Sequence, residues 1–214
     1  MLFRSYVLYV LPREQLSATL FPLGEYRKEE VRAIAGERGF LNARKRDSQD
    51  ICFVPDGDYA GFIRKTTGRD YPAGDFVDEE GHVLGRHRGI ICYTVGQRRG
   101  LGLSLPAPLY VCEKDAAGGR VILGPPDRLY RCQLEAEDCN FLAWEQPPEQ
   151  FRCKARTRYS GKEADATVTV EDSGRVKLRF DEPQRAITPG QAVVFYGGED
   201  GDEVLGGGTI AKAY

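Results

Sequence analysis

Between Arg44 and Tyr59 the chain crowds together groups that a segment built only to fold rarely needs in one place. The stretch holds the basic triplet Arg44-Lys45-Arg46, acids at Asp47 and Asp50, a lone thiol at Cys52, and the turn formers Pro55 and Gly57. Ile51 and Phe53 flank the thiol with the apolar context of a strand end, and the proline and glycine then turn the chain. A thiol works as a nucleophile or sulfur carrier only when it is partly ionised. Neighbouring cations such as Arg44–Arg46 favour that ionised form. The other reading is a core thiol, since unpaired cysteine is among the most buried residue types. The residues alone leave both readings open. Asp47, Asp50, Asp56 and Asp58 do not follow the spacing of a calcium loop, so capping and turn roles suit them better than a metal.

Two further stretches concentrate cations. Gly96-Gln97-Arg98-Arg99-Gly100-Leu101-Gly102 sets Gln97, Arg98 and Arg99 among glycines that allow close backbone approach to a phosphate. It has neither the Lys-Ser/Thr ending of a P-loop nor the strand–GxGxxG–helix order of a dinucleotide site, so it is no nucleotide cradle. A solvated hairpin tip is the bland alternative. Along Lys154-Ala155-Arg156-Thr157-Arg158-Tyr159, period-two alternation puts Lys154, Arg156 and Arg158 on one face of a strand that ends in an aromatic. Cations beside an aromatic suit phosphate contacts with base stacking; the alternative is an edge strand kept soluble by charge. His82 and His87 lack acids at triad or ligand spacing and read as structural or surface residues.

These groups need a scaffold, and the sequence implies a mixed one. The chain has 214 residues with 41% hydrophobic and 29% charged content, the composition of a globular protein with a real core. No apolar run is long enough to span a bilayer. Six cysteines stand singly, without a CxxC pair and beside only two histidines, which argues against zinc and points to a reducing cytoplasm. The net charge of −2 means that any nucleic-acid contact must come from a local basic face. Helices are expected from Pro12 in the first turn through Leu20, at 27–38 and at 59–66, the last capped by Asp58. Asp78–Gly81 marks a hairpin, residues 88–95 read as a strand, and short strands recur near 109–113, 120–124, 131–136, 151–158, 164–170, 175–180, 191–196 and 204–213. The fold class is therefore α+β and mainly β: a short helical N-terminal segment, a small central β-rich domain and a C-terminal antiparallel β-barrel. The expected divisions are 1–59, 60–126 and 127–214.

Four stretches together resemble the tRNA-specific 2-thiouridylase family. They are Phe21-Pro22-Leu23-Gly24 leading into Lys28–Arg32, Asp47–Phe53, Tyr93–Gly102, and Thr188–Tyr196 with Leu205–Gly208, in the family's order. The resemblance implies a β-barrel that contacts tRNA and an enzyme that uses ATP and a cysteine persulfide to thiolate C2 of the wobble uridine. It gives Cys52 the persulfide role, and it matches Arg158, Tyr159 and Gln191 to the family's tRNA contacts. It implies three partners: tRNA, a cysteine desulfurase or sulfur-relay protein as donor, and an N-terminal ATPase domain that binds the ATP. The family's SGGxDS loop does not occur in this sequence, its second catalytic cysteine has no counterpart, and its Lys-Asp-Gln contact would fall on Leu2-Phe3-Arg4. The chain is thus expected to match the family's C-terminal part and to be inactive alone. The competing expectation is a non-catalytic RNA-binding or docking module.

Overall fold

The computed structural model describes residues 6–44, 53–54, 56–198, 201 and 203–214. Packing divides the chain into two units, one made of the stretch up to Leu16 together with Tyr71–Tyr214, the other of Ser17–Asp70.

Ahead of the smaller unit, the 3-10 turn Leu8–Val10 is followed by the short helix α1 (Arg13–Ala18). The smaller unit carries α2 (Lys28–Glu37) and α3 (Tyr59–Thr67). The start of α2 is fixed by Glu30, whose carboxylate accepts the Arg27 N–H at 2.6 Å, as expected for acids in a first turn. Asp58 caps α3 by accepting the Gly61 N–H at 2.9 Å. Phe53 and Phe62 pack at 5.2 Å between ring centroids. Neither helix buries a residue, and Leu20, Phe21, Phe40 and Leu41 stay exposed.

The larger unit begins its β structure with a four-stranded sheet made of β1 (Gly74–Val77), β2 (Val83–His87), β3 (Tyr110–Asp115) and β4 (Arg120–Gly124), in the order β2-β1-β4-β3. Asp78–Gly81 turns between β1 and β2 as expected, with Gly81 N donating to Asp78 O at 3.2 Å. Phe76, Tyr93, Leu101, Val111, Val121 and Leu123 form the core of this module. His87 is buried within it. Its Nδ1 accepts N–H groups of Gly74 and Gly89 at 3.3 and 3.0 Å, and its Nε2 faces Gly119 O at 3.0 Å. That histidine is structural. His82 sits at the surface, but the expectation that no acid neighbours it is corrected: Asp78 pairs with its Nδ1 at 3.0 Å. The strand expected over 88–95 is also corrected, because Ile90–Cys92 forms a 3-10 turn. Gly89, at φ 115° and tied to His87, breaks the extended run before it can pair.

The remaining strands are β5 (Tyr130–Phe141), β6 (Gln150–Arg156), β7 (Ala164–Val170), β8 (Val176–Arg185), β9 (Ala192–Gly197) and β10 (Glu203–Ala213). They close into a barrel in the order β10-β5-β8-β7-β6-β9, and every pairing is antiparallel. Strict alternation along β8 sends Val176, Leu178 and Phe180 inward and leaves Lys177 and Arg179 outside. They meet Leu134, Cys153, Ala155, Val168, Phe195 and Ile210 in one core.

Strand β9 breaks the alternation, since Val193 through Tyr196 are all buried. The outer face of β9 is covered by the chain's own beginning: Tyr6, with Val194 and Tyr196, forms a small second core joined by Tyr9. Asn140 clamps that segment by donating to Tyr9 O and Leu11 O at 2.6 and 2.9 Å. Gly207 makes room for it, because a Cβ there would lie 2.7 Å from the Tyr9 ring.

Candidate nucleic-acid interface

The last residue of β6 is Arg156, and the chain then turns through Thr157–Gly161, with Gly161 N donating to Arg158 O at 3.0 Å. That corner sends two neighbouring side chains in different directions. Arg158 points back to the barrel mouth, where its Nη2 donates to the carbonyl of Ala186. Ala186 holds a left-handed φ of 53°, and its carbonyl also accepts the Thr188 hydroxyl at 3.0 Å. Tyr159 stays 55% exposed. Tyr6 meets it edge to face at 5.9 Å and 81°.

Tyr6 in turn ties this corner to the next candidate. Its hydroxyl donates to Ala192 O at 2.8 Å, directly after Gln191. Gln191 is exposed at the end of a turn, where its N–H reaches Thr188 O at 3.2 Å and its carbonyl accepts the Ile210 N–H at 2.8 Å. The turn is thus fixed by backbone bonds while the Gln191 side chain faces outward. Burial raises the Tyr6 phenol to about 12, with the neighbouring Tyr9 and Tyr196 adding to the effect.

The glycine-punctuated loop arrives from the central sheet. Gly96 N donates to Val111 O at 2.7 Å, and Val111 N donates to Gln97 O at 2.9 Å, which pins the loop to β3. Gln97 spends its side chain inside the loop, accepting the Thr94 N–H at 3.0 Å and donating to Arg99 O at 2.9 Å. Arg98 and Arg99 are exposed. Gly96 lies against the barrel: a Cβ there would sit 3.3 Å from Ala186 Cβ, 3.8 Å from Arg185 Nη1 and 4.0 Å from Arg158 Nη2. With φ at 89° as well, the position suits glycine alone.

The fold therefore brings the base of the Gln97–Arg99 loop next to Arg158, and Tyr6 links Tyr159 with the neighbour of Gln191. Lys154 is exposed on the outside of β6. Arg156 shares that outer face, as period two requires, but its expected exposure is corrected. It is 5% exposed, bonded to Glu163 at 2.5 Å and stacked over Tyr196 at 5.4 Å. The bond to Glu163 and the stack on Tyr196, itself packed against Tyr6, make this cation a buried support. Cys52 lies outside the described residues.

Arg185 was not singled out by sequence. It follows Asp181-Glu182-Pro183, which reads as a strand ending, whereas β8 runs on through it to Arg185. Its guanidinium stacks over Tyr110 at 5.6 Å. For metal, one group among the described residues brings ligand atoms together, namely Asp78, Glu80 and His82 within 4.8 Å of one another. Glu80 and His82 are exposed there, and Asp78 is already engaged by the His82 N–H and ring.

Three protein-family models match successive parts of the chain: the tRNA methyl transferase HUP domain at residues 4–56, the tRNA methyl transferase PRC-barrel domain at 60–125, and the aminomethyltransferase β-barrel domain at 131–210. The tRNA-specific 2-thiouridylase MnmA of Acetivibrio thermocellus is 50% identical over 207 residues, covering 97% of this chain and 57% of that protein. The tRNA-specific 2-thiouridylase MnmA 1 of Thermoanaerobacter sp. is 48% identical over 209 residues, with 98% and 57% covered. The tRNA-specific 2-thiouridylase MnmA of Moorella thermoacetica is 49% identical over 207 residues, again with 97% and 57% covered. The chain spans a little over half the length of these curated relatives. With half of its residues shared along nearly its whole length, the chain belongs to the tRNA-specific 2-thiouridylase family.

Proposed function

We propose that this chain is the RNA-holding and sulfur-carrying part of a tRNA 2-thiouridylase. In this reading residues 1–59 bring the sulfur on Cys52, residues 60–126 supply the Gln97–Arg99 loop, and residues 127–214 grip the RNA. Cys52 carries, as a persulfide loaded by a cysteine desulfurase or relay protein, the sulfur destined for C2 of the wobble uridine. Arg158, Lys154, Arg98 and Arg99 meet phosphates. Tyr159 offers a stacking face, and Gln191 offers an amide to a base or ribose edge.

The observation that carries this reading is the division of labour at Arg158–Tyr159. The arginine is fixed on Ala186 O while the adjacent tyrosine remains 55% exposed. An exposed ring held on edge by another ring suits a base better than it suits folding, because its own burial contributes little.

Family membership also implies ATP. The described residues of the basic glycine-punctuated loop do not fit it, because Gly96–Gly102 is closed by Gln97 and pinned to β3. No helix follows that loop to receive a phosphate. This chain's own share of the chemistry is the sulfur and the grip.

Two measurements test the reading together. After incubation with a cysteine desulfurase and cysteine, intact mass should show one added sulfur that Cys52→Ala abolishes. Arg158→Ala and Tyr159→Ala should each weaken binding of an unmodified tRNA transcript, and the arginine variant should also flatten the salt dependence. Binding that depends on Arg158 without any sulfur adduct would reduce the chain to an RNA-binding module. Absence of both effects would refute the proposal.

A further inference from the structure

We infer that Arg185 forms with Arg158 a two-guanidinium clamp for one phosphate of the bound RNA, closed on its third side by the Gly96 turn. The inference rests on the RNA-holding role proposed above and adds a residue and a geometry to it.

Two arginines converge at the junction of the central sheet and the barrel. Arg185 Nη1 and Arg158 Nη2 lie 3.8 and 4.0 Å from the same point, the Cβ position of Gly96. Charge-assisted N–H···O bonds span about 2.8 Å, so separate oxygens of a single phosphate can take a bond from each. Both side chains are held. Arg185 lies over the Tyr110 ring at 5.6 Å, and Arg158 is anchored on Ala186 O. Stacking and a single anchoring bond fix the planar groups without using their remaining donors.

The electrostatics ask for an anion. Among the described residues no carboxylate pairs with either arginine, whereas Arg86, Arg120, Arg128, Arg152, Arg156 and Arg175 all have one. Arg158 Nε is buried and has no hydrogen-bond partner among the described residues. Burial and then the nearby Arg185 charge both hold the Arg158 guanidinium below its usual value, the signature of two cations sharing a partly desolvated space. Folding gains nothing from that repulsion. A phosphate between the two groups removes it and supplies acceptors for the idle N–H donors. The Gly96 turn keeps side-chain atoms out of the space, since a Cβ there would crowd Ala186 and already touch both guanidinium groups.

The test uses the full 214-residue chain, an unmodified tRNA transcript and, separately, inorganic pyrophosphate. Arg185→Ala should weaken tRNA binding roughly tenfold at moderate salt, as expected for one lost charge-assisted contact. It should also lower the slope of log K against log salt by about one. The Arg158→Ala/Arg185→Ala pair should be non-additive, because both act on one phosphate. Arg185→Lys should keep the slope yet lose most of the coupling, since an ammonium cannot provide the fork. Arg185 is exposed, so circular dichroism should show these variants folded. Unchanged slope and affinity in Arg185→Ala, or additive losses in the cycle, would overturn the clamp even if Arg158 proved essential. Conversely, pyrophosphate binding lost in either single variant, with no tRNA binding at all, would keep the clamp and sink the RNA reading.

Discussion

Replacing Glu163 by alanine is the sharpest test of how the interface is supported. The carboxylate bonds Arg156 at 2.5 Å, and the two side chains are only 6% and 13% exposed. Removing one partner of a buried pair costs about 3–5 kcal/mol where the remaining charge loses all its compensation. The slight exposure of Glu163 and the surviving stack of Arg156 on Tyr196 at 5.4 Å place the loss near the lower end, about 3 kcal/mol. For a cooperative unit of this size, that corresponds to a fall in Tm of roughly 6–12 °C. Urea unfolding followed by circular dichroism reads the change directly. The double variant Arg156→Met/Glu163→Met should recover most of the lost stability, because it removes both charges together. A loss below about 1 kcal/mol for Glu163→Ala, or a double variant weaker than the single, would refute the view that Arg156 is a buried support.

Other expectations follow from the same contacts. His87→Leu removes two acceptor bonds to Gly74 and Gly89 and the contact with Gly119 O, and should destabilise the larger unit by about 3 kcal/mol or more in urea titrations. Asn140→Ala should release the N-terminal segment from the barrel, visible as faster proteolysis between Tyr6 and Leu16, because two carbonyl bonds vanish. The raised phenol of Tyr6, at about 12, favours the neutral form in the fold. Its contribution is complete below pH 10 and is lost as pH rises towards 12, so the segment should loosen over that window, and Tyr6→Phe should abolish the effect. At the acid end, Asp115 is held below the usual carboxylate range first by the Gly118 N–H and then by Arg120, and Asp181 by Arg152. Their contribution is present above about pH 4 and should be lost as pH falls below it.

Much of the fold could be read from local chemistry. Glu29 and Glu30 ahead of Val31 and Ile34 mark α2, Asp58 marks the start of α3, and the alternation of Val176, Leu178 and Phe180 marks a barrel strand. What escaped were contacts made far along the chain. Arg156 is buried against Tyr196, 40 residues on in sequence, and a carboxylate beyond the next turn. The continuous apolar run of β9 has its cause in the cover by Tyr6, since two faces of one strand are packed. Ile90–Cys92 has strand-like residues, yet a buried histidine captures Gly89 and folds the run locally. For the proposed interface, Arg158, Tyr159 and the Gln97–Arg99 loop could be singled out in the sequence because cations and aromatics carry their chemistry visibly. Arg185 was hidden because Pro183 looks like a strand ending and the partner it stacks on, Tyr110, belongs to another module.

The central claim is that RNA lies across the corner formed by Arg158, Tyr159, Gln191 and the Gln97–Arg99 loop. Photocrosslinking a tRNA transcript carrying 4-thiouridine to this chain, with peptide mapping by mass spectrometry, tests it most directly. The account expects adducts at Tyr159 and within residues 97–99, lost on competition with unlabelled tRNA. Adducts confined to the opposite wall of the barrel, around Gln133, Thr167 and Lys177, would contradict it.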